Sequence, residues 1–405
     1  MKHRLPPPLP LFAAVVAASG FLACGFLASP GDYTSEAPDG AASETSSPMG
    51  DGSSGRDVVV LPDGNVPMSR GTLLVIAGER DATSQEDDPA WSGDAFAGVL
   101  DETGAVALWR VERSAPIIGS FDAVTVFDNR LYTLSFGFGI FAGRNHALQS
   151  IAFAPGISGD WRANRAPMPG GLDEVTRTFV GTRVVTVGGS RTVTNDAGTN
   201  TFLVKEIHVS AVDAAKNEIG PFADGPNLVV ARARPGLLAT ANRLVVAGGR
   251  APVATGIASS VESAKIDPAQ GTIEAFEAQT TMMAGGAEHR VVAPQMVTAN
   301  DWVYLAGGRV ANNTPTDIVL GAKLDANGAL GPWQEMNKLP KLIRDFAFVA
   351  HGGVVYVIGG QNAEGRSDEV LSAPIQADGT LGPWASASNA PLPVKRSDFV
   401  AVAYP

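Results

Sequence analysis

Five arginines stand at or just before short apolar runs: Arg177, Arg234, Arg290, Arg344 and Arg396. Four more, Arg80, Arg191, Arg250 and Arg309, follow such runs. A guanidinium is a planar fork of donors that matches a carboxylate or phosphate in bidentate fashion. Gathered on one rim, these side chains would make a cationic patch in a chain of formal net charge −11. The competing role is internal, with the arginines paired to Asp345, Asp398 or Glu174 or bonded to strand-end carbonyls. His289 lies between Glu288 and Arg290, after Gly285-Gly286, and a histidine with a carboxylate could act as acid and base. Neighbours on an extended segment point to opposite faces, so adjacency alone does not bring them together. Arg177, Arg234, Arg290, Arg344, Arg396 and His289 are therefore the candidate ligand contacts. No catalytic set, metal site or cofactor motif emerges. His146, His208 and His351 lack metal-ligand spacing, and Gly137-Phe138-Gly139 lacks the helix that a phosphate loop requires.

What must position these residues is a repeat. Val354-Val355-Tyr356-Val357-Ile358 ends in Gly359-Gly360. Like endings fall at Gly188-Gly189, Gly248-Gly249 and Gly307-Gly308, with weaker relatives at Gly78 and Gly137. The six ends are spaced by 59, 51, 60, 59 and 52 residues. An aromatic tracks them in phase: Trp109, Trp161, Phe222, Phe276, Trp333 and Trp384. Two markers in one phase, with a period near fifty residues of short β-branched runs, predict a propeller or array of four-stranded units. In the last unit the strands are Phe346–Ala350, Val354–Ile358, Glu369–Ile375 and Leu381–Ala385. The hairpin Ala377-Asp378-Gly379-Thr380 is echoed by Asp325–Gly328, Asp267–Gly271 and Asp101–Gly104. These Asp-to-Gly segments read as turns, because the further oxygen ligands that calcium requires are absent.

The apolar run with double glycine and the downstream tryptophan resemble the kelch repeat over nearly all of residues 71–405. The segment Asp378-Gly379-Thr380-Leu381-Gly382-Pro383-Trp384, echoed by Asn327–Trp333, resembles bacterial versions. The tyrosine usual between the two markers is missing from Val370–Ile375, which points to a divergent branch. The resemblance implies an all-β, six-bladed kelch-like β-propeller, and an arginine before the first strand is part of its pattern. The domain opens at Gly71-Thr72-Leu73, a second strand without a first, and ends in Lys395–Tyr404, a first strand without a second. The C-terminal strand is thus expected to complete the first blade and remove the exposed edges. Copper radical oxidases of this fold need a cysteine cross-linked to tyrosine, and residues 71–405 have no cysteine. Sialic acid epimerases resemble the chain in fold alone.

The single cysteine of the chain is Cys24, so disulfides within residues 71–405 and cysteine zinc sites are excluded. Residues 1–24 have a basic start and an apolar run ending Phe21-Leu22-Ala23-Cys24, which resembles a bacterial lipoprotein signal with Cys24 as the lipidated residue. An ordinary cleaved signal and an uncleaved anchor to Ala28 are the alternatives. Residues 25–70 are rich in Ser, Gly, Pro and acids, and are expected to form a disordered tether. The acidic balance excludes a nucleic-acid partner. The resulting expectation is a monomeric binding module for a protein or glycan, exported to the bacterial cell envelope and held by an N-terminal lipid anchor on the outer-membrane or periplasmic face. An enzyme acting on an anionic sugar, of epimerase or mutarotase type, and a structural envelope component are the alternatives.

Overall fold

The computed structural model describes residues 71–80, 91–139, 145–153, 156–195 and 198–405. The signal at 1–24 with Cys24 and the tether at 25–70 lie outside them. Six antiparallel sheets follow one another as the blades of a β-propeller. Their second strands are Gly71–Arg80, Arg130–Gly139, Arg183–Val187, Arg243–Ala247, Trp302–Ala306 and Val354–Ile358, in blades 1 to 6. Val400–Tyr404 pairs antiparallel with Gly71–Arg80, from Thr72 opposite Tyr404 to Ile76 opposite Val400. The expected closure is therefore present, and blade 1 is built from both ends of the domain.

The apolar runs are continuous because each blade is buried on both faces. Successive strand residues point to opposite sides. Val354, Tyr356 and Ile358 pack with Leu73, Val75 and Phe96 of blade 1. Val355 and Val357 pack with Val297, Tyr304 and Phe348 in the cluster shared with blade 5. Four further clusters fill the remaining seams between neighbouring blades.

The repeat's two markers prove to be contacts between blades. In three of the four pairs the second glycine donates its N–H to a carbonyl of the next blade: Gly189 to Arg232, Gly249 to Val291 and Gly360 to Arg396, each at 2.8 Å. The first glycine lies against the same carbonyl, so a Cβ on Gly188 would come within 2.2 Å of the Arg232 oxygen. The tryptophans close the outer rim. The indole N–H of Trp109 donates to the Ala390 carbonyl at 3.0 Å, Trp161 to Arg113 at 2.8 Å, Trp333 to Thr280 at 3.3 Å and Trp384 to Asn337 at 2.8 Å. Each acceptor lies in the connection leaving the preceding blade.

The Asp-to-Gly segments are turns. The Asp101 and Asp325 carboxylates accept backbone N–H groups of their own turns at 2.8–3.0 Å. The fourth strand of blade 6 departs from expectation. Leu381 makes an isolated bridge to Ile375, and pairing resumes only at Ala385–Ser386. Pro383, between them, has no N–H to give the ladder.

Candidate functional site

The first strands surround a central channel, whose mouth is a cavity of about 550 Å³. Each blade lines this mouth with one residue: Asp398, Glu174, Arg234, Ala293 and Asp345 just before the first strands of blades 1, 3, 4, 5 and 6, and Asp122 within the first strand of blade 2, Ile117–Phe127. Asp122 sits at a β-bulge between Phe121 and Ala123. The other five are left-handed, with φ of 53, 56, 48, 51 and 56° in blade order. That conformation costs an L-residue about 1–2 kcal/mol. A backbone belt offsets it. Phe121 donates to the Asp398 carbonyl at 3.2 Å, Arg234 to Glu174 at 3.0 Å, Ala293 to Arg234 at 2.8 Å and Asp398 to Asp345 at 3.0 Å.

The charges of the mouth are arranged in pairs. Asp122 holds Arg177 at 2.5 Å. Glu174 takes Arg234 at 3.2 Å and also Arg250. Asp345 takes Arg309 at 2.6 Å and also Arg344. Asp398 has no arginine within ion-pair distance among the described residues and accepts the Ser397 hydroxyl at 3.0 Å. Burial, and then the neighbouring Asp345 charge, push its carboxyl up to about 6. Lost hydration also raises Asp122, against the pull of Arg177.

Of the six candidate contacts, Arg177 and Arg234 line the cavity. Arg344 stands at its edge through Asp345. Arg290 is held by Glu288 away from the cavity. His289 faces Glu335 and the Ala284 carbonyl, each at 3.3 Å, so it does not meet the adjacent Glu288. Arg396 is 1% exposed. It donates to the carbonyls of Ala77 and Asp94 at 2.8 and 3.2 Å, and its guanidinium lies 4.8 Å from the Phe96 ring centre. Burial pulls it down to about 10. It holds blade 1 together and is absent from the cavity lining. The lining does not form a cationic rim: Asp122, Asp173, Glu174, Asp345 and Asp398 face Arg177, Arg234 and Arg309.

The arginines scatter because they occupy different places in the repeat. Arg234 is the mouth residue of its blade. Arg344 comes one residue before Asp345, Arg396 two before Asp398, Arg290 three before Ala293, and Arg177 three after Glu174. A shift of one residue turns a side chain to the other face. His146 and Asp122 were not among the candidates. His146 comes from the third strand of blade 2, Asn145–Phe153, and lines the cavity beside Phe136, with ring centres 4.4 Å apart. Burial and the Arg177 guanidinium pull its imidazole down to about 4. Its spacing carries no signal. For the carboxylates a signal exists, since aligning Phe346 with Phe399 puts Asp345 and Asp398 in one column.

No known family profile matches the chain, and no curated protein matches it. Among solved structures, one described as the structure of YjhT is similar, with 15% identity and a TM-score of 0.49, over 71% of this chain and 87% of that one.

Proposed function

We propose that this is an exported, lipid-tethered propeller of divergent kelch type that binds its ligand at the channel mouth without catalysing its conversion. One observation carries the reading: each arginine lining the mouth lies within ion-pair distance of a carboxylate of the same ring. Such pairs hold a preformed surface and leave no unpaired guanidinium to stabilise charge developing in a reaction. The enzyme on an anionic sugar needs that free charge, and a purely structural component has no use for the cavity. The kelch assignment is supported by the interblade roles of the glycine pairs and tryptophans.

The place where the domain begins is compatible with a tether. Gly71 and Tyr404 lie together at the end of blade 1 remote from Asp398 and the mouth. A tether of residues 25–70 would therefore join the domain away from the mouth and leave it open.

Two substitutions test the reading. Cys24→Ala should end lipid labelling and release the chain from membranes; continued partitioning would favour an uncleaved anchor. Ala293→Tyr fills the mouth position with the smallest side chain. It should abolish binding of the whole chain in a screen of glycans and envelope proteins, with the melting temperature retained. Unchanged binding with the mouth filled sinks the proposal.

A further inference from the structure

The mouth also carries information about the chemistry of what it holds. With the mouth read as a ligand site, its charge constrains the ligand. Five carboxylates and three guanidiniums line the cavity, and Arg250 and Arg344 reach the Glu174 and Asp345 carboxylates from outside the lining, so the balance is level. A carboxylate or phosphate ligand would have to break one of these pairs or lie near Asp398. An ammonium ligand would find Asp122, Glu174 and Asp345 already committed to guanidiniums, and could meet only the exposed Asp173 and Asp398, whose ionised form is disfavoured by burial and the Asp345 charge. Breaking any of the three pairs leaves a partly buried charge without its partner, which is costly.

Hydrogen-bonding capacity remains although net charge does not. An ionised carboxylate has about four lone-pair sites and a guanidinium five N–H donors, so one ion pair exhausts neither. Where blades 2 and 3 meet, this capacity is concentrated. His146 Nδ1 and Arg177 Nε are buried without a hydrogen-bond partner among the described residues. The imidazole is uncharged at neutral pH, so it offers one donor and one acceptor. Asp122 stands beside them, its side chain 26% exposed. Apolar surface adjoins this polar wall: Phe136, Leu237 and Met296 are half-buried and line the same cavity. At about 550 Å³ the cavity falls within the roughly 300–1,000 Å³ of small-ligand sites.

Donors and acceptors in equal supply, no net charge to satisfy and an aromatic face alongside describe a ligand rich in hydroxyl groups with an apolar ring face. We propose that the mouth binds a neutral saccharide, with a sugar ring against Phe136 and its hydroxyls bonded to His146, Asp122 and Arg177.

The test is calorimetric titration of the whole chain with neutral trisaccharides (maltotriose, cellotriose and chitotriose) and with charged trimers of equal length (tri-galacturonate and tri-glucosamine). One neutral trimer should bind at least about tenfold more tightly than either charged trimer, a difference of about 1.4 kcal/mol. Its affinity should not change between about 50 and 500 mM salt, because no ionic attraction is there to be screened. His146→Ala should weaken it about tenfold, and His146→Gln, which keeps a donor and an acceptor, should recover part of the loss at an unchanged melting temperature. A charged trimer that binds as tightly, or no heat from any neutral trimer at millimolar concentration, overturns the proposal. If Ala293→Tyr abolishes binding of a charged envelope polymer while the neutral trimers stay inert, the mouth remains the site and only the ligand class falls.

Discussion

Two titratable groups at the mouth act on stability in opposite directions. His146 titrates in the fold at about 4, below its ordinary 6.5. As pH falls through that window the unfolded chain takes up a proton that the fold refuses, so stability is lost. Asp398 titrates at about 6, above its ordinary 3.8. As pH falls through about 6 the fold takes up its proton first, so stability is gained. Between about pH 4 and 6 the two effects partly cancel. Asp398→Asn should therefore raise the urea midpoint at pH 7 and leave a steeper loss toward pH 4. His146→Gln should leave the midpoint at pH 7 nearly unchanged and flatten or invert the acid loss. Urea melts of both variants from pH 4 to 7 check the signs; parallel shifts at every pH would mean that neither group titrates as its surroundings dictate.

At the scale of the element, the double glycine is a seam between blades. Gly248 has φ 65°, and a Cβ there would lie 2.3 Å from the Val291 carbonyl oxygen. Gly248→Ala combines left-handed strain of about 1–2 kcal/mol with a displaced interblade carbonyl. A cost of at least about 3 kcal/mol is expected, in the range of severe single substitutions. Gly353, at φ 80° in the turn before the second strand of blade 6, has nothing within 4 Å of its would-be Cβ. Gly353→Ala should cost only the strain, about 1 kcal/mol. Equal losses in chemical denaturation would remove the seam from the explanation. The same contrast explains what could be read from the chain. Val354–Gly360 and Trp384 make the same interblade contacts in blade after blade, so their recurrence exposed the fold. The mouth is built from what differs between blades. Arg396 and Arg344 look equivalent as arginines before a first strand, yet one is buried under blade 1 and the other meets Asp345. His146 reaches the cavity from a third strand and belongs to no repeated column. Counting residue types near a strand could not separate these cases; aligning the repeat to the single residue separates the arginines, and only the three-dimensional packing finds His146.

At the scale of the whole molecule, the ring is closed by one strand whose partner lies more than three hundred residues earlier in the chain. Val400, Val402 and Tyr404 enter the cluster between blades 1 and 2, while Phe399, Ala401 and Ala403 enter the cluster between blades 6 and 1. Removing residues 399–405 would therefore open two seams as well as the edge of Gly71–Arg80, and an exposed edge strand invites association. The shortened chain should lose its cooperative transition and aggregate. That outcome alone does not distinguish the position of the strand from its mere presence. A permuted chain does. Gly71 lies beside Tyr404, so residues 396–405 can be placed ahead of Gly71 through a short glycine turn like His351-Gly352-Gly353 in blade 6. Blade 1 then becomes an ordinary hairpin-built blade whose strand pairing is local, and only the seam between blades 6 and 1 still has to close over a long loop. The permuted chain should regain the cooperative transition at close to the original denaturation midpoint and refold faster than the original. If it stays unfolded although every blade is intact, pairing of the two chain ends does more than close a sheet, and the ring must assemble from that junction outward.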